Sequence, residues 1–290
     1  MPEAATGPAL YLVGTPIGNL EDITLRALRV LKEVDVIACE DTRQTQKLLN
    51  HYAISTRTTS YHEHNEAEKA PELVKQMQAG ACVALVTDAG MPGISDPGYR
   101  LVTAAVRAGV KVIPVPGASA FLDALVSSGL PTDSFSFGGF LPPKRGERRT
   151  VLKSAKSRPQ TQVFYEAPHR VLDTLEDVVE VMGRGRQVVV AREVTKIHEE
   201  FLRGPAAAVL EELKKRESVR GEITLLIGKA EDRAHEGSME TPAQGHQTVS
   251  QRTKQLMAEE NLDEKAALKK AAKEYGVSKS EAYREWQRAK

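Results

Sequence analysis

Residues 82–98 read CVALVTDAGMPGISDPG, an uncharged apolar run followed by a segment rich in glycine, proline and aspartate. A short apolar run that ends in such breakers is typical of a buried strand that runs into a loop. A buried strand whose two faces are both apolar is characteristic of a parallel sheet covered by helices. This stretch is therefore predicted to form a central strand of an α/β domain and the loop that follows it.

The same pattern recurs on both sides of residues 82–98. Further strands are predicted at residues 10–13, 34–39 and 110–115, and amphipathic helices at residues 24–32, 65–79 and 98–108. Alternating strands and helices predict a largely parallel sheet. Residues 114–117, PVPG, end the pattern because two prolines forbid a continuing helix and weaken a strand. The first domain is therefore predicted to span residues 1–116.

A second α/β domain is predicted at residues 117–230. Its helices are expected at 118–128, 170–182 and 206–216, and its strands at 134–140, 162–165, 187–191 and 222–227. Residues 231–249 have little apolar content and several breakers, which is typical of a linker. Residues 250–290 resemble a small helical appendage of the helix-turn-helix type, with a capping box at 278–281.

Composition excludes several classes of protein. The 290 residues are 41% hydrophobic and 27% charged, which excludes a fully disordered chain or a collagen. No basic residue precedes Arg26 and no uncharged apolar run reaches about 18 residues, so we expect neither a signal peptide nor a membrane span. Cys39 and Cys82 lie in apolar runs, and we expect buried, reduced thiols in a cytoplasmic protein.

Three loops follow directly on strands of the first domain. They are residues 14–19 (GTPIGN), 88–98 (DAGMPGISDPG) and 116–120 (PGASA). Open α/β sheets bind ligands at the carboxyl ends of their strands, where these loops would lie. None of them matches the GxGxxG or GxxxxGK[ST] pattern, so a dinucleotide site and a Walker phosphate loop both lack their signatures. Ordinary turn chemistry accounts for any one loop alone, but three at equivalent positions favour a shared ligand.

These loops, together with ACEDTR, YHEHNE, GFLPPK, YEAPHR, AREVTK and FLRG, carry a resemblance to a known family. From about residue 10 to residue 230 the chain resembles the tetrapyrrole methylase superfamily, and within it the enzymes that methylate cytidine 2'-hydroxyls of small-subunit (16S) ribosomal RNA near the decoding centre. The resemblance implies two α/β domains of the tetrapyrrole methylase type with S-adenosylmethionine (SAM) in the cleft between them, usually as a homodimer.

The resemblance also implies which residues bind the cofactor. In the first domain they are Gly14, Pro16, Asp88, Ala89, Gly90, Ser119 and Ala120, and in the second Tyr165 and Glu166. Where tetrapyrrole enzymes of the superfamily have a GGDP-type string, this chain has TDAGMP, which argues against a macrocyclic substrate.

Transfer of a methyl group to a ribose hydroxyl requires a proton acceptor within hydrogen-bond reach of that hydroxyl, directly or through water. The candidates are Glu40, after the second strand, and His62 and His64 in residues 61–66, YHEHNE. Substrate contact or proton relay is the first interpretation of the two histidines, and a surface loop is the second. A metal site is a third, and we expect no metal because HxH lacks the spacing of a zinc helix.

Charge is concentrated in residues 142–158, where seven Lys and Arg stand against one acidic residue, a net charge of +6 in a chain of net charge +1. A flexible basic arm beside the cleft would hold RNA phosphates, although solvated charge runs are common. The RNA-binding candidates are Lys144, Arg145, Arg148 and Arg149 in this segment and Arg170, Arg192 and Lys196 beyond it.

Three hypotheses follow. The first is SAM-dependent 2'-O-methylation of a cytidine in small-subunit ribosomal RNA, with the assembled subunit as the partner and no membrane partner. The second keeps the SAM cleft but methylates a tetrapyrrole or another small molecule. The third is a non-catalytic ribosome-binding protein, which would show no affinity for SAM.

Overall fold

The computed structural model describes residues 7–230, 249–259, 262–275 and 277–288. The chain divides into two compact units, Met1–Glu231 and Asp232–Lys290. The predicted linker falls almost entirely on residues 231–248, outside the described residues. The predicted division of the first unit near residue 116 stays a prediction.

The first sheet of the larger unit is formed by the first five strands. They are β1 (Ala9–Val13), β2 (Val36–Cys39), β3 (Thr58–Ser60), β4 (Cys82–Val86) and β5 (Val112–Val115). All neighbouring strands pair in parallel in the order β3-β2-β4-β1-β5. Strand β3 was not predicted, because it has three half-buried residues and no apolar run.

Helices cover both faces of this sheet. They are α1 (Leu25–Glu33), α2 (Thr42–His51), α3 (Glu66–Gln78) and α4 (Tyr99–Arg107). Side chains of α1 and α2 pack with Ile37 and Ala84 on one face, whereas those of α3 and α4 pack with Val83 and Leu85 on the other. The alternation along β4 shows why an uncharged run is needed there, since successive side chains point into two different cores.

The second sheet contains five more strands. They are β6 (Phe135–Phe140), β7 (Thr161–Glu166), β8 (Gln187–Arg192), β9 (Glu200–Pro205) and β10 (Ile223–Ile227). Their order is β6-β7-β10-β8-β9. The pair β6 and β7 is parallel and the remaining pairs are antiparallel.

Four helices accompany this sheet. They are α5 (Ala120–Val126), α6 (Arg145–Ala155), α7 (Val171–Met182) and α8 (Ala206–Lys214). Helices α6, α7 and α8 share one core with the sheet. On the opposite face, Phe121 and Leu125 of α5 pack with Ile17 of the first loop and with Val163 and Leu226 of the sheet. This second core holds the first loop against the second sheet.

The prediction of a flexible basic arm at residues 142–158 is wrong, because residues 145–155 form the ordered helix α6. Leu152 and Ala155 of α6 are buried in the core beneath it. Burial of an apolar stripe fixes a helix even when its outer face is strongly charged. Strand β9 was also not predicted from the sequence.

The smaller unit contains the helices α9 (Val249–Glu259), α10 (Glu264–Glu274) and α11 (Lys279–Arg288). Leu256, Ala271 and Trp286 belong to its buried core. Asp263 caps α10 by accepting a hydrogen bond from the backbone N–H of Ala266 at 2.7 Å. Gly276 of the predicted turn lies outside the described residues. No helix in the described part of the chain combines the length and hydropathy that crossing a membrane requires.

Candidate active site

A cavity of about 390 Å³ lies where the second and third glycine-rich loops face the second sheet. The loops contribute Ala89, Gly90, Ser119 and Ala120 to its wall. The facing wall comes from β7, β8 and β10 and the segments that adjoin them: Tyr165, Glu166, Ala167, Pro168, Ala191, Val194, Gly221, Glu222, Ile223 and Thr224. A cavity of this size suits a nucleoside-sized ligand.

Backbone contacts hold the three loops together. The N–H of Thr15 donates to the carbonyl of Gly90 at 2.9 Å, and the N–H of Gly90 donates back to the carbonyl of Thr15 at 3.1 Å. The first and third loops meet at Gly14 and Gly117, where an added Cβ on Gly14 would lie 2.7 Å from the Gly117 Cα atom. Glycine is therefore required at this crossing for steric reasons.

Of the nine residues predicted to bind the cofactor, six line the cavity: Ala89, Gly90, Ser119, Ala120, Tyr165 and Glu166. Gly14 and Pro16 of the first loop are buried and lie outside the lining, and Gly14 packs against Gly117. Asp88 lies outside the lining, where its carboxylate accepts a hydrogen bond from the N–H of Asp41 at 3.2 Å. Their cofactor roles stay predictions.

The charged side chains of the cavity lining are all acidic, namely Asp96, Glu166 and Glu222, and none of the lining residues that the structure describes is Lys or Arg. Glu222 is mostly exposed and forms an ion pair with Lys196 at 3.1 Å. The cavity therefore favours a cationic ligand over an anionic one.

The carboxylate of Glu166 is fully buried and already has its partners. It pairs with Arg170 at 2.6 Å and accepts hydrogen bonds from the Thr174 hydroxyl at 2.6 Å and the Ala167 N–H at 2.7 Å. Such a saturated carboxylate fixes the end of β7 against α7. Arg170, predicted to bind RNA, is thereby committed to an internal ion pair.

Asp96 is the acidic group that the sequence did not single out, because ISDPG is explained by a simple turn before proline. Burial and the negative charges of Glu40 and Asp88 raise the pKa of Asp96 to about 6. The hydroxyl of the neighbouring Thr87 donates its one proton to the Glu40 carboxylate at 3.2 Å. Asp96 is thus linked to the strand end that carries Glu40.

Tyr165 stands on the facing wall of the cavity. Its ring contacts Phe137 at 5.0 Å and Phe140 at 5.5 Å between centroids. Burial is the main cause that raises the pKa of Tyr165 to about 12, and the charge of Asp96 adds to it. The phenol therefore stays protonated at neutral pH and can serve as a hydrogen-bond donor.

The three predicted proton acceptors are not part of the cavity lining. Glu40 follows β2, and its carboxylate accepts a hydrogen bond from the Thr87 hydroxyl at 3.2 Å. His62 and His64 follow the edge strand β3, with ring centroids 6.0 Å apart. Among the described residues, the buried Nδ1 atom of His62 has no hydrogen-bond partner. The structure therefore separates the two histidines from the cavity, and their catalytic role stays a prediction.

The cations of α6 differ in their availability. Arg148 is buried and pairs with the buried carboxylate of Asp177 at 2.7 Å. Arg145 also pairs with Asp177, at 2.9 Å, and Arg149 pairs with Glu180 at 2.6 Å. Lys144 is largely exposed and pairs with Glu147 of the same helix. The buried guanidinium of Arg148 is inaccessible to RNA, which corrects its expected exposure on an arm.

Two further basic candidates lie in internal ion pairs. Arg192 and Arg216 both bind Glu200, at 3.0 and 2.6 Å, and hold the pKa of that carboxyl at about 2. Lys196 pairs with Glu193 at 2.9 Å, and its aliphatic stem packs directly over Gly18. Lys196 therefore connects the second α/β segment to the first loop, a structural role that the sequence did not predict.

Cys39 and Cys82 are buried free thiols, as predicted. Burial raises the pKa of both thiols, which keeps them protonated and unreactive. Among the described residues, no three His, Cys, Asp or Glu side chains are grouped as a metal ion would require.

Residues 9–210 match the family described as Tetrapyrrole (Corrin/Porphyrin) Methylases. Among curated proteins, the chain is 52% identical over 218 residues to a protein of Halalkalibacterium halodurans, covering 75% of each chain. It is 46% identical over 277 residues to a protein of Escherichia coli O157:H7, covering 95% of this chain and 93% of the relative. Both relatives are named ribosomal RNA small subunit methyltransferase I.

Solved structures show the same fold at low sequence identity. Uroporphyrin-III-C-methyltransferase of Thermus thermophilus aligns with a TM-score of 0.52 at 22% identity, covering 77% of this chain and 94% of its own. Diphthine synthase aligns with a TM-score of 0.58 at 16% identity, covering 76% of this chain and 90% of its own. These likenesses bear out the predicted two-segment α/β architecture.

Proposed function

This chain belongs to the tetrapyrrole methylase family and is a SAM-dependent methyltransferase; we propose that it methylates small-subunit ribosomal RNA at the 2'-hydroxyl of a cytidine near the decoding centre. The observation that carries the proposal is the acidic cavity at the junction of the loops and the second sheet. The relatives named for small-subunit ribosomal RNA supply the substrate class.

The residues of the cavity fit SAM. Its sulfonium carries a positive charge, and the lining offers Asp96 and Glu222 but no described cation. Apolar groups such as Ile17, Val194 and Ile223 provide a surface for the adenosine moiety. Ala89 also lies at the wall, where its backbone groups can donate or accept hydrogen bonds. When bound, SAM supplies the methyl group that is transferred.

The chain's own task is to orient the two reactants and to accept a proton. The positive charge of the sulfonium is lost during transfer, so alignment of the reacting atoms contributes more than a strong opposing charge would. The three loops are joined by the Thr15–Gly90 backbone hydrogen bonds and by the packing of Gly117 against Gly14. They therefore provide a rigid wall for such alignment. The ribose hydroxyl has to lose its proton as the new bond forms.

The RNA would contact the exposed cations of the second α/β segment. Lys144, which precedes α6, and Arg145 at its first position are exposed, and Arg149 is partly exposed. Three further candidates are held in ion pairs, namely Arg170, Arg192 and Lys196. They would contribute to RNA binding mainly through the electrostatic potential at the protein surface. Arg148 is left out of the proposed RNA surface because it is buried.

We further propose that the substrate is the assembled small subunit in the cytoplasm and that the enzyme acts as a homodimer. The resemblance to the family supports the dimer. Exposed apolar side chains at Leu25, Val126 and Ile197 are compatible with a protein contact. Sedimentation at micromolar concentration tests the dimer directly, because a monomeric mass would contradict it.

Transfer of a radiolabelled methyl group from SAM tests the proposal. The acceptors are assembled small subunits, isolated ribosomal RNA and a uroporphyrin-type tetrapyrrole, each at the same concentration. Label in the RNA of the assembled subunits is the expected result. Label in the tetrapyrrole alone would establish the small-molecule hypothesis instead. Binding to subunits with no transfer to any acceptor would indicate a non-catalytic protein.

A further inference from the structure

Asp96 holds an unusual position in the second loop. It lines the cavity and follows Ser95, whose φ of +63° is left-handed for a residue that is not glycine. The loop closes on itself behind it, because a Cβ on Gly98 would lie 3.1 Å from the Gly93 N atom. Backbone strain of this kind persists where the surrounding structure holds a side chain in one direction. Here it presents Asp96 to the cavity.

The surroundings of Asp96 are acidic on one side and aromatic on the other. Glu40 at the end of β2 and Asp88 after β4 act on it from the first sheet. Tyr165 on β7 faces it across the cavity, and Glu222 before β10 and the buried Glu166 also belong to the lining. Two cations close in sequence to lining residues, Arg170 and Lys196, are paired with Glu166, Glu193 and Glu222. Thr87 also lies beside Asp96, and its hydroxyl donates to Glu40.

These surroundings give Asp96 a property that the other two carboxylates of the cavity lack. Glu166 has the guanidinium of Arg170 and two further hydrogen bonds, and Glu222 is mostly exposed. Among the described residues no cation pairs with Asp96, and burial limits the water that can stabilise its charge, so its pKa rises to about 6. A base is most efficient when its pKa lies near the working pH.

We propose that Asp96 is the proton acceptor for the hydroxyl that is methylated, an inference that rests on the proposed function. In the step, the hydroxyl oxygen forms a bond to the methyl carbon while the bond from that carbon to sulfur breaks, its electron pair remaining on sulfur. The hydroxyl proton moves to the Asp96 carboxylate. The products are a methyl ether, a neutral thioether and a neutral Asp96, which later returns its proton to water. Glu40 then acts as a positioning residue through Thr87.

The first experiment compares the wild type with Asp96→Asn and with the control Asp133→Asn, whose carboxylate is exposed before β6. With saturating SAM and unmethylated small subunits, Asp96→Asn should lower kcat by about 10²- to 10⁴-fold. Asp133→Asn should leave kcat unchanged. The wild-type rate should rise with pH, with a midpoint at or below about 6, because the base must be ionised. A kcat for Asp96→Asn within threefold of the wild type would overturn the proposal.

A second readout does not depend on turnover. At pH 6 the Asp96 carboxyl is partly protonated, and a sulfonium placed in the same cavity favours its ionised form. SAM binding should therefore release up to roughly half a proton per site, measured by calorimetry in two buffers of different ionisation enthalpy. S-adenosylhomocysteine, which has no charge on sulfur, should release less. Equal proton release by wild type and Asp96→Asn would contradict the assignment.

Glu40→Gln covers the case in which Asp96→Asn fails to fold or to bind SAM. Loss of the Glu40 charge removes one of the causes that raise the pKa of Asp96, so the acidic limb of the rate should move to lower pH. An unmoved limb would overturn the proposal. If the wild type itself transfers no methyl group to small subunits, the proposed function fails, which is a separate outcome from an active Asp96→Asn variant.

Discussion

Gly14 and Gly117 lie in direct backbone contact, so that a Cβ on either residue would fall less than 3 Å from backbone atoms of the other. This contact joins the first and third loops beneath the cavity. The second loop is joined to the first by the paired hydrogen bonds of Thr15 and Gly90. The wall against which the methyl donor would lie is thus a single backbone assembly rather than three independent turns.

The glycine crossing predicts the effect of a single methyl group. Gly14→Ala should lower the free energy of unfolding by about 1–3 kcal/mol, because the added Cβ overlaps the Gly117 backbone, which has little room to shift. It should also weaken SAM binding at least tenfold by displacing the loops. Urea unfolding and calorimetry measure the two effects.

Gly146→Ala is the matched control for this change. Gly146 lies in helix α6, and an added Cβ there would meet no atom within 4 Å. Alanine should raise the free energy of unfolding by about 0.5–1 kcal/mol through its better helix propensity. Equal effects of the two substitutions would show that the crossing is not sterically constrained.

The buried ion pair of Arg148 and Asp177 predicts a large loss of stability. Asp177→Ala leaves the Arg148 guanidinium buried without its carboxylate, which should cost about 3–5 kcal/mol of unfolding free energy in urea. Glu180→Gln removes an exposed partner of Arg145 and Arg149 and should cost at most about 1 kcal/mol. A loss under about 1 kcal/mol for Asp177→Ala would mean that Arg148 can reach water.

The raised pKa of Asp96 predicts a gain in stability when that residue is neutralised. The folded protein holds this proton more tightly than the unfolded chain, so Asp96 reduces stability as pH rises from near 3.8 to about 6. At pH 7, Asp96→Asn should therefore raise the free energy of unfolding, on the order of 1–3 kcal/mol. At pH 3.5 the gain should vanish because the carboxyl is neutral in both states. A gain of the same size at both pH values would refute burial of the Asp96 charge as its cause.

RNA binding should depend on salt through the exposed lysines of the basic segment. Lys153 and Lys156 are exposed, and neutralising both as Gln should lower the slope of log affinity against log salt by up to about two for small-subunit RNA. Lys214→Gln with Lys215→Gln at the end of α8 is the matched control, and these lysines pair with Glu176 and Glu212. An equal decrease of the salt slope in both double variants would show that RNA binding does not depend specifically on residues 142–158.

Sequence patterns predicted the strands and helices whose apolar residues and breakers lie close together in the sequence. Strands such as Cys82–Val86 were predictable because an apolar run and the glycines that follow it are adjacent in sequence. Helix α2 was not predicted, because only Thr45 and Leu49 of its ten residues are buried and its apolar periodicity is weak.

The errors arise where distant residues meet. The basic segment at residues 142–158 appeared as a free arm because its neutralising partners, Asp177 and Glu180, lie on α7. Asp96 was interpreted as a turn residue because its raised pKa depends on two residues that are distant in sequence or separated from it by most of a loop. Glu40 follows β2, and Asp88 begins the loop that contains Asp96. Only the packed sheet brings these charges together, which is why the residue we assign as proton acceptor was missed.

Identification of the methylated nucleoside is the decisive test of the proposed reaction. Unmethylated small subunits are incubated with the enzyme and SAM, and their RNA is digested to nucleosides and analysed by mass spectrometry. We predict that 2'-O-methylcytidine appears in proportion to the methyl groups transferred, and that Asp96→Asn lowers its rate of formation by about 10²- to 10⁴-fold. A methyl group found on a base, on another nucleoside or nowhere in the RNA would contradict the account.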